Sequence, residues 1–85
     1  MDYDTKQAIN KATEDWAATV LPKMTVNDIN RLLLNQQVFE NLYDDLLECP
    51  VIAGMLQQTT DGTEIRSIMK VARERLWDLV EEAND

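Results

Sequence analysis

The sequence predicts an all-α chain, a small and compact bundle-like domain of four to five helices spanning residues 1–85. Three observations carry that expectation. Apolar residues recur at steps of three and four nearly throughout. Only 2 of the 85 residues are glycine and 2 are proline, too few turn formers for a β-rich domain. The hydrophobic share is 45%, enough for a core and too high for a disordered acidic tail.

The first helix is predicted over about residues 4–20. Asp4 is the expected N-cap, with Gln7 closing a capping box. Ile9, Ala12, Trp16 and Val20 form its apolar stripe. Leu21 precedes Pro22, and the residue before a proline disfavours helical geometry, so the element is expected to stop there. The second helix has the clearest start. Thr25 and Asp28 can each accept a hydrogen bond from a first-turn amide, and Met24 and Ile29 occupy the two positions of a hydrophobic staple. Val26, Ile29, Leu32 and Leu33 share one face. Val38, Phe39, Leu42, Leu46 and Cys49 share another, rotated by roughly a quarter to a third of a turn at about 100° per residue. A change of phase inside one apolar pattern predicts a break or kink at Asn35-Gln36-Gln37, with Asn35 as cap.

Pro50 suits the first position of a further helix, which carries Val51, Ile52, Met55 and Leu56 and ends near Gln58. Gly54 inside it either weakens the helix or lets another backbone come close. Thr59-Thr60-Asp61-Gly62 reads as a turn, and Asp61 with Glu64 as a second capping box. The last helix is predicted to run to about residue 82, with Ile65, Ile68, Met69, Ala72, Leu76, Leu79 and Ala83 as its stripe.

Composition excludes several chemistries. The chain has 1 Cys and no His, which removes an internal disulfide, the ordinary zinc sites and the commonest general base. No catalytic residue, cofactor or metal ligand is expected, and the chain is not read as an enzyme. Ser67 lacks a histidine to activate it, and Cys49 has no adjacent cation to lower its pKa. Helical carboxylate sites for Mg²⁺ need convergent oxygens. The nearest fragments, Asp45-x-x-Glu48 and Asp78-x-x-Glu81, lie at the edge of the apolar stripe or opposite it. A Mg²⁺-dependent all-α hydrolase is thus the weakest of three functional readings. The aliphatic runs are too short for a membrane span, no secretory pattern opens the chain, and one thiol suits a reducing cytoplasm. The start at Met1 reads as that of a small complete reading frame.

Charge and stray apolar residues point to contact with protein. There are 16 acidic and 8 basic side chains, for a net charge of −8. Such a surface repels nucleic-acid phosphates and anionic lipid and attracts basic proteins. Charge also keeps a small protein soluble, a role that needs no partner. The basic residues Arg66, Lys70, Arg73 and Arg75 could line a groove-facing helix, but Glu74, Asp78, Glu81 and Glu82 interrupt them, so DNA reading is not expected. No Lys or Arg occurs between Arg31 and Arg66. Glu40, Asp44, Asp45 and Glu48 form an acidic row there, which is a solvated face, a partner for the cations of the last helix, or a docking strip. Trp77 lies off the core stripe, beside Arg66, Lys70 and Arg73. It is either covered by another helix, stacked on Arg73, or an interface anchor. Leu34 also projects away from its neighbours' face, and a spare apolar patch in so small a fold points to a homodimer.

The leading expectation is an interaction module, an accessory regulator or inhibitor that binds a protein partner with a basic surface. Trp77, Leu34, Val38 and Leu42 would supply the apolar contact, and Glu40, Asp44, Asp45 and Glu48 the steering strip. The runner-up is a nucleic-acid mimic or antitoxin-like neutraliser, led by the acidic row. Size and charge are comparable with small regulators of phages and mobile elements, an analogy that no motif supports.

Overall fold

A computed structural model describes residues 1–84, and all the regular structure among them is helical. Helix α1 spans Tyr3–Val20, followed by a 3-10 turn over Leu21–Lys23. Helices α2 (Val26–Leu34), α3 (Gln36–Leu47), α4 (Pro50–Gln58) and α5 (Gly62–Ala83) complete the order. The molecule measures 38 × 22 × 19 Å, and α5, about 33 Å long at 1.5 Å per residue, runs most of its length.

Local chemistry sets most boundaries. Thr25 and Asp28 form the reciprocal box: the Asp28 amide donates to Thr25 Oγ1 at 3.1 Å and the Thr25 amide to Asp28 Oδ2 at 3.0 Å. The chain breaks at Asn35, whose extended backbone ends α2 and opens α3. Its Oδ1 accepts from the Gln37 and Val38 amides at 3.0 and 3.3 Å. Pro50 begins α4 behind Cys49, which provides no side-chain cap.

Three details differ from the sequence expectation, and at Gly54 the structure decides between two alternatives. The cap of α1 is Asp2, not Asp4: Asp2 Oδ1 accepts from the Thr5 amide at 2.7 Å, which leaves Asp4 inside the first turn, where the helix dipole favours an acid. Leu21 keeps helical angles (φ −64°, ψ −37°) despite preceding Pro22. The chain leaves α1 through the 3-10 turn, closed by the Met24 amide on the Leu21 carbonyl at 3.0 Å. Asp61 caps α5 through the Thr63 amide, but its own amide donates to Thr59 Oγ1 at 3.3 Å instead of closing a box with Glu64. Gly54 has nothing within 4 Å of where a Cβ would stand, so no backbone crowds it and only the weakening effect remains.

The core gathers Ile9 and Ala12 of α1, Ile29 and Leu32 of α2, and Phe39, Leu42, Tyr43 and Leu46 of α3. Cys49, Ile52 of α4, and Ile68, Ala72, Leu76 and Val80 of α5 complete it. The α5 stripe therefore steps by four and includes Val80, while Ala83, at its predicted end, is exposed. In α1 the core side holds Thr13 and Ala17 in place of a fully buried Trp16, which is only half-buried. Thr13 can sit in the core because its hydroxyl donates to the Ile9 carbonyl one turn back at 2.8 Å, so no polar group is left unpaired. The most extensive contact joins α1 to α5, and Ala12, Ala17 and Ala72 are small enough to bring those backbones close. No helix among the described residues is long and apolar enough to cross a membrane.

Candidate functional site

The break at Asn35 turns the end of α2 toward the middle of α5 and leaves an open groove of about 690 Å³ between them. Leu32, Leu33 and Leu34 form one wall, Gln36 and Phe39 line the α3 side, and Lys70, Arg73, Glu74, Trp77 and Asp78 of α5 form the other wall. Trp77 meets Phe39 edge to face, with ring centroids 5.1 Å apart and planes at 80°. This arrangement directs the positive edge of one ring to the negative face of the other.

Arg73 organises the base of the groove. Its guanidinium carbon stands 5.2 Å from the Phe39 ring centroid and 5.3 Å from that of Tyr43, within cation–π range of both. The same guanidinium pairs with Glu40 across α3 and α5. The hydrogen bond from Arg73 holds the Glu40 carboxyl below the usual carboxylate range, and the pairing raises Arg73 further. Tyr43 beneath them donates its hydroxyl to the Met69 carbonyl at 3.0 Å, and burial pushes its pKa up.

The residues singled out in the sequence divide. Trp77, 36% exposed, and Leu34, 86% exposed, lie at the same groove. Trp77 is not stacked on Arg73; the cation goes to Phe39 and Tyr43 because α3 brings both rings under it. Leu42, at 6% exposure, belongs to the core and leaves the contact set, since its side of α3 faces inward. Val38 is half-buried at a shallow depression beside Met24, Asp28, Arg31 and Leu32, away from the groove. Glu40 is taken up by Arg73. Asp44, Asp45 and Glu48 are exposed and form no ion pair with another described residue. Leu33 and Phe39 as groove walls were not singled out. The run Leu32-Leu33-Leu34 just before a helix break was the available signal, because three successive leucines cannot all face one core. Among the described residues no three His, Cys, Asp or Glu side chains are grouped as a metal ion would require.

The Glu40–Arg73 pair gives a pH dependence with a definite sign. A carboxylate whose pKa is depressed by folding contributes stability at neutral pH that is lost as the pH falls through and below the ordinary carboxylate range. Asp28 contributes in the same direction, because the Thr25 amide donates to it. The Glu40→Gln variant is expected to melt lower than wild type at pH 7, and the gap between the two is expected to narrow as the pH is taken to 3. Thermal melts followed by circular dichroism test this; a constant gap would remove the pair from the acid response.

Fold and groove together define a class of object, a small all-helical chain with an open apolar groove beside a charged helix face. Comparison with protein-family models, with curated proteins and with solved structures finds no match.

Proposed function

We propose that the chain is a single-domain helical bundle that acts by contact, as an accessory regulator or inhibitor of a protein partner in the cytoplasm. The observation that carries this reading is the groove, where Trp77 and the 86%-exposed Leu34 line one cleft beside the charged side chains of α5. Tryptophan is among the residues that contribute most when an interface closes over it. The Phe39 ring meets the Trp77 indole edge to face and restrains it before binding, so less rotamer freedom is left to lose. Asp44, Asp45 and Glu48 supply an exposed negative strip on α3 that steers a basic partner. The alternative, a nucleic-acid mimic, rests on that strip alone. Three acids over about 6 Å of helix make a short imitation of a phosphate row.

Capture from host lysate at low and high salt, with Trp77→Ala and Glu48→Lys compared, tests the reading. Capture that survives high salt and is lost with Trp77→Ala is the expected result. Capture lost with Glu48→Lys and untouched by Trp77→Ala would transfer the function to the acidic strip and favour mimicry. Capture indifferent to both would overturn the two readings together.

A further inference from the structure

The exposed charges of α5 are sorted along its length. Arg66 and Lys70 are the exposed charges of its first half, and Glu74, Asp78, Glu81 and Glu82 those of its second, while Glu64, Arg73 and Arg75 are half-buried. At about 100° per residue, Arg66, Lys70, Trp77 and Glu81 fall within roughly 60° of one another on the wheel, on the side that carries the groove. Arg66, Lys70, Asp78 and Glu81 are exposed and form no ion pair with any other described residue. A helix face that is cationic at one end and acidic at the other, with Trp77 between them, is complementary to itself reversed.

We propose that the groove is occupied by a second copy of this chain, in a two-fold dimer with the two α5 helices antiparallel. This rests on the groove being a contact surface and names what fills it. A two-fold interface uses the same patch twice, so the patch must match its own reverse. With the axis passing between Arg75 and Leu76, Lys70 stands opposite Glu81 of the partner subunit. The same pair recurs on the other side of the axis, and Trp77 lies near the centre, opposite Glu74 of the partner subunit and within one turn of its own counterpart. Leu34, at the rim, then enters the groove of the other copy, which removes both leucines from water. An interface of ordinary size takes about 800 Å² from each partner. That is a modest share of the 5507 Å² each copy exposes. Each chain carries −8, so the copies repel at long range. At physiological salt that repulsion is screened within about 8 Å, whereas pairs held at contact are screened much less. The Asp44, Asp45 and Glu48 strips lie on the far side of α3 from the core and stay open to a basic partner.

Sedimentation velocity of wild type, Lys70→Glu, Glu81→Lys and an equimolar mixture of the two variants tests the arrangement. Both residues are exposed, and circular dichroism confirms that each variant keeps its helicity. Wild type is expected to sediment as a dimer at high micromolar concentration. Each variant alone places like charges together twice and is expected to dimerise about tenfold or more weakly. The mixture restores opposite charges at both positions and is expected to recover dimer as a heterodimer. A wild-type monomer at high micromolar concentration overturns the proposal, and so does a mixture that associates no better than its components. If the chain is monomeric while Trp77→Ala still loses the captured protein, only self-pairing fails and the groove holds a different occupant. If it is monomeric and Trp77→Ala changes nothing, the groove is no contact surface at all.

Discussion

Leu76→Ala is expected to remove a large share of the stability of the fold. Leu76 is fully buried in the second half of α5. Its neighbours on the stripe, Ala72 and Val80, are equally buried, so backbone on both sides is held and cannot collapse into the space. A leucine truncated in such a place costs about 3–5 kcal/mol, the upper part of the range for this substitution. A chain of this length has about 4–13 kcal/mol in total at ordinary per-residue values. Urea titration followed by circular dichroism would show the midpoint falling steeply. Leu76→Met, which preserves volume, is expected to cost less than about 1.5 kcal/mol. A loss under about 1 kcal/mol for Leu76→Ala would show that α5 is not packed as described.

Ile52→Ala is expected to act on one helix before it acts on the whole. Ile52 is the one fully buried side chain of α4, with Met55 and Leu56 only half-buried beside it. The helix has no side-chain cap at Cys49 and carries Gly54 in its interior, so little intrinsic stability holds it once its anchor shrinks. Local opening of α4 then needs less free energy than unfolding the chain. Amide exchange within α4 is expected to accelerate about thirtyfold or more, for a loss of at least about 2 kcal/mol, while the slowest amides of α1 and α5 change less. Gly54→Ala on the same background is expected to recover about 1 kcal/mol, since its Cβ would meet open space. Uniform acceleration across all helices would show that α4 opens only with the rest.

What was legible in the sequence was the chemistry that acts over three or four residues. The Thr25–Asp28 box, the Asn35 break and the Pro50 start are each decided by amides and side chains within one turn, and the structure has each of them. Where two residues could do one local task, as Asp2 and Asp4 could for α1, the expectation fell on Asp4 and the structure uses Asp2. Burial was legible only as a direction. The wheel made Trp16 core and passed over Thr13, yet Thr13 is buried because its own helix satisfies its hydroxyl, and the larger indole remains half in water. Trp77 and Leu34 were found because they depart from the stripe of their own helix. Their meeting at one groove, and the capture of Arg73 by the Phe39 and Tyr43 rings, depend on how α3 lies against α5. That relation belongs to no local pattern. Leu42 was misplaced for the same reason: a residue on a rotated face looks like surface until the kink shows that α3 has turned the face inward.

The pairing of α1 with α5 also sets the order of events during synthesis. Everything from Leu21 to Asp61 separates the two helices, so the main contact cannot form until α5 has left the ribosome. Until then α1 has only α4 and the 3-10 turn to pack on and lacks the helix that supplies most of its contacts, so it is at most marginally stable. The closure that follows carries the loop-entropy cost of joining two helices separated by about forty residues. Translation arrested just before Gly62 would therefore yield a protease-sensitive polypeptide, and release of the next two dozen residues would make it resistant in a single step.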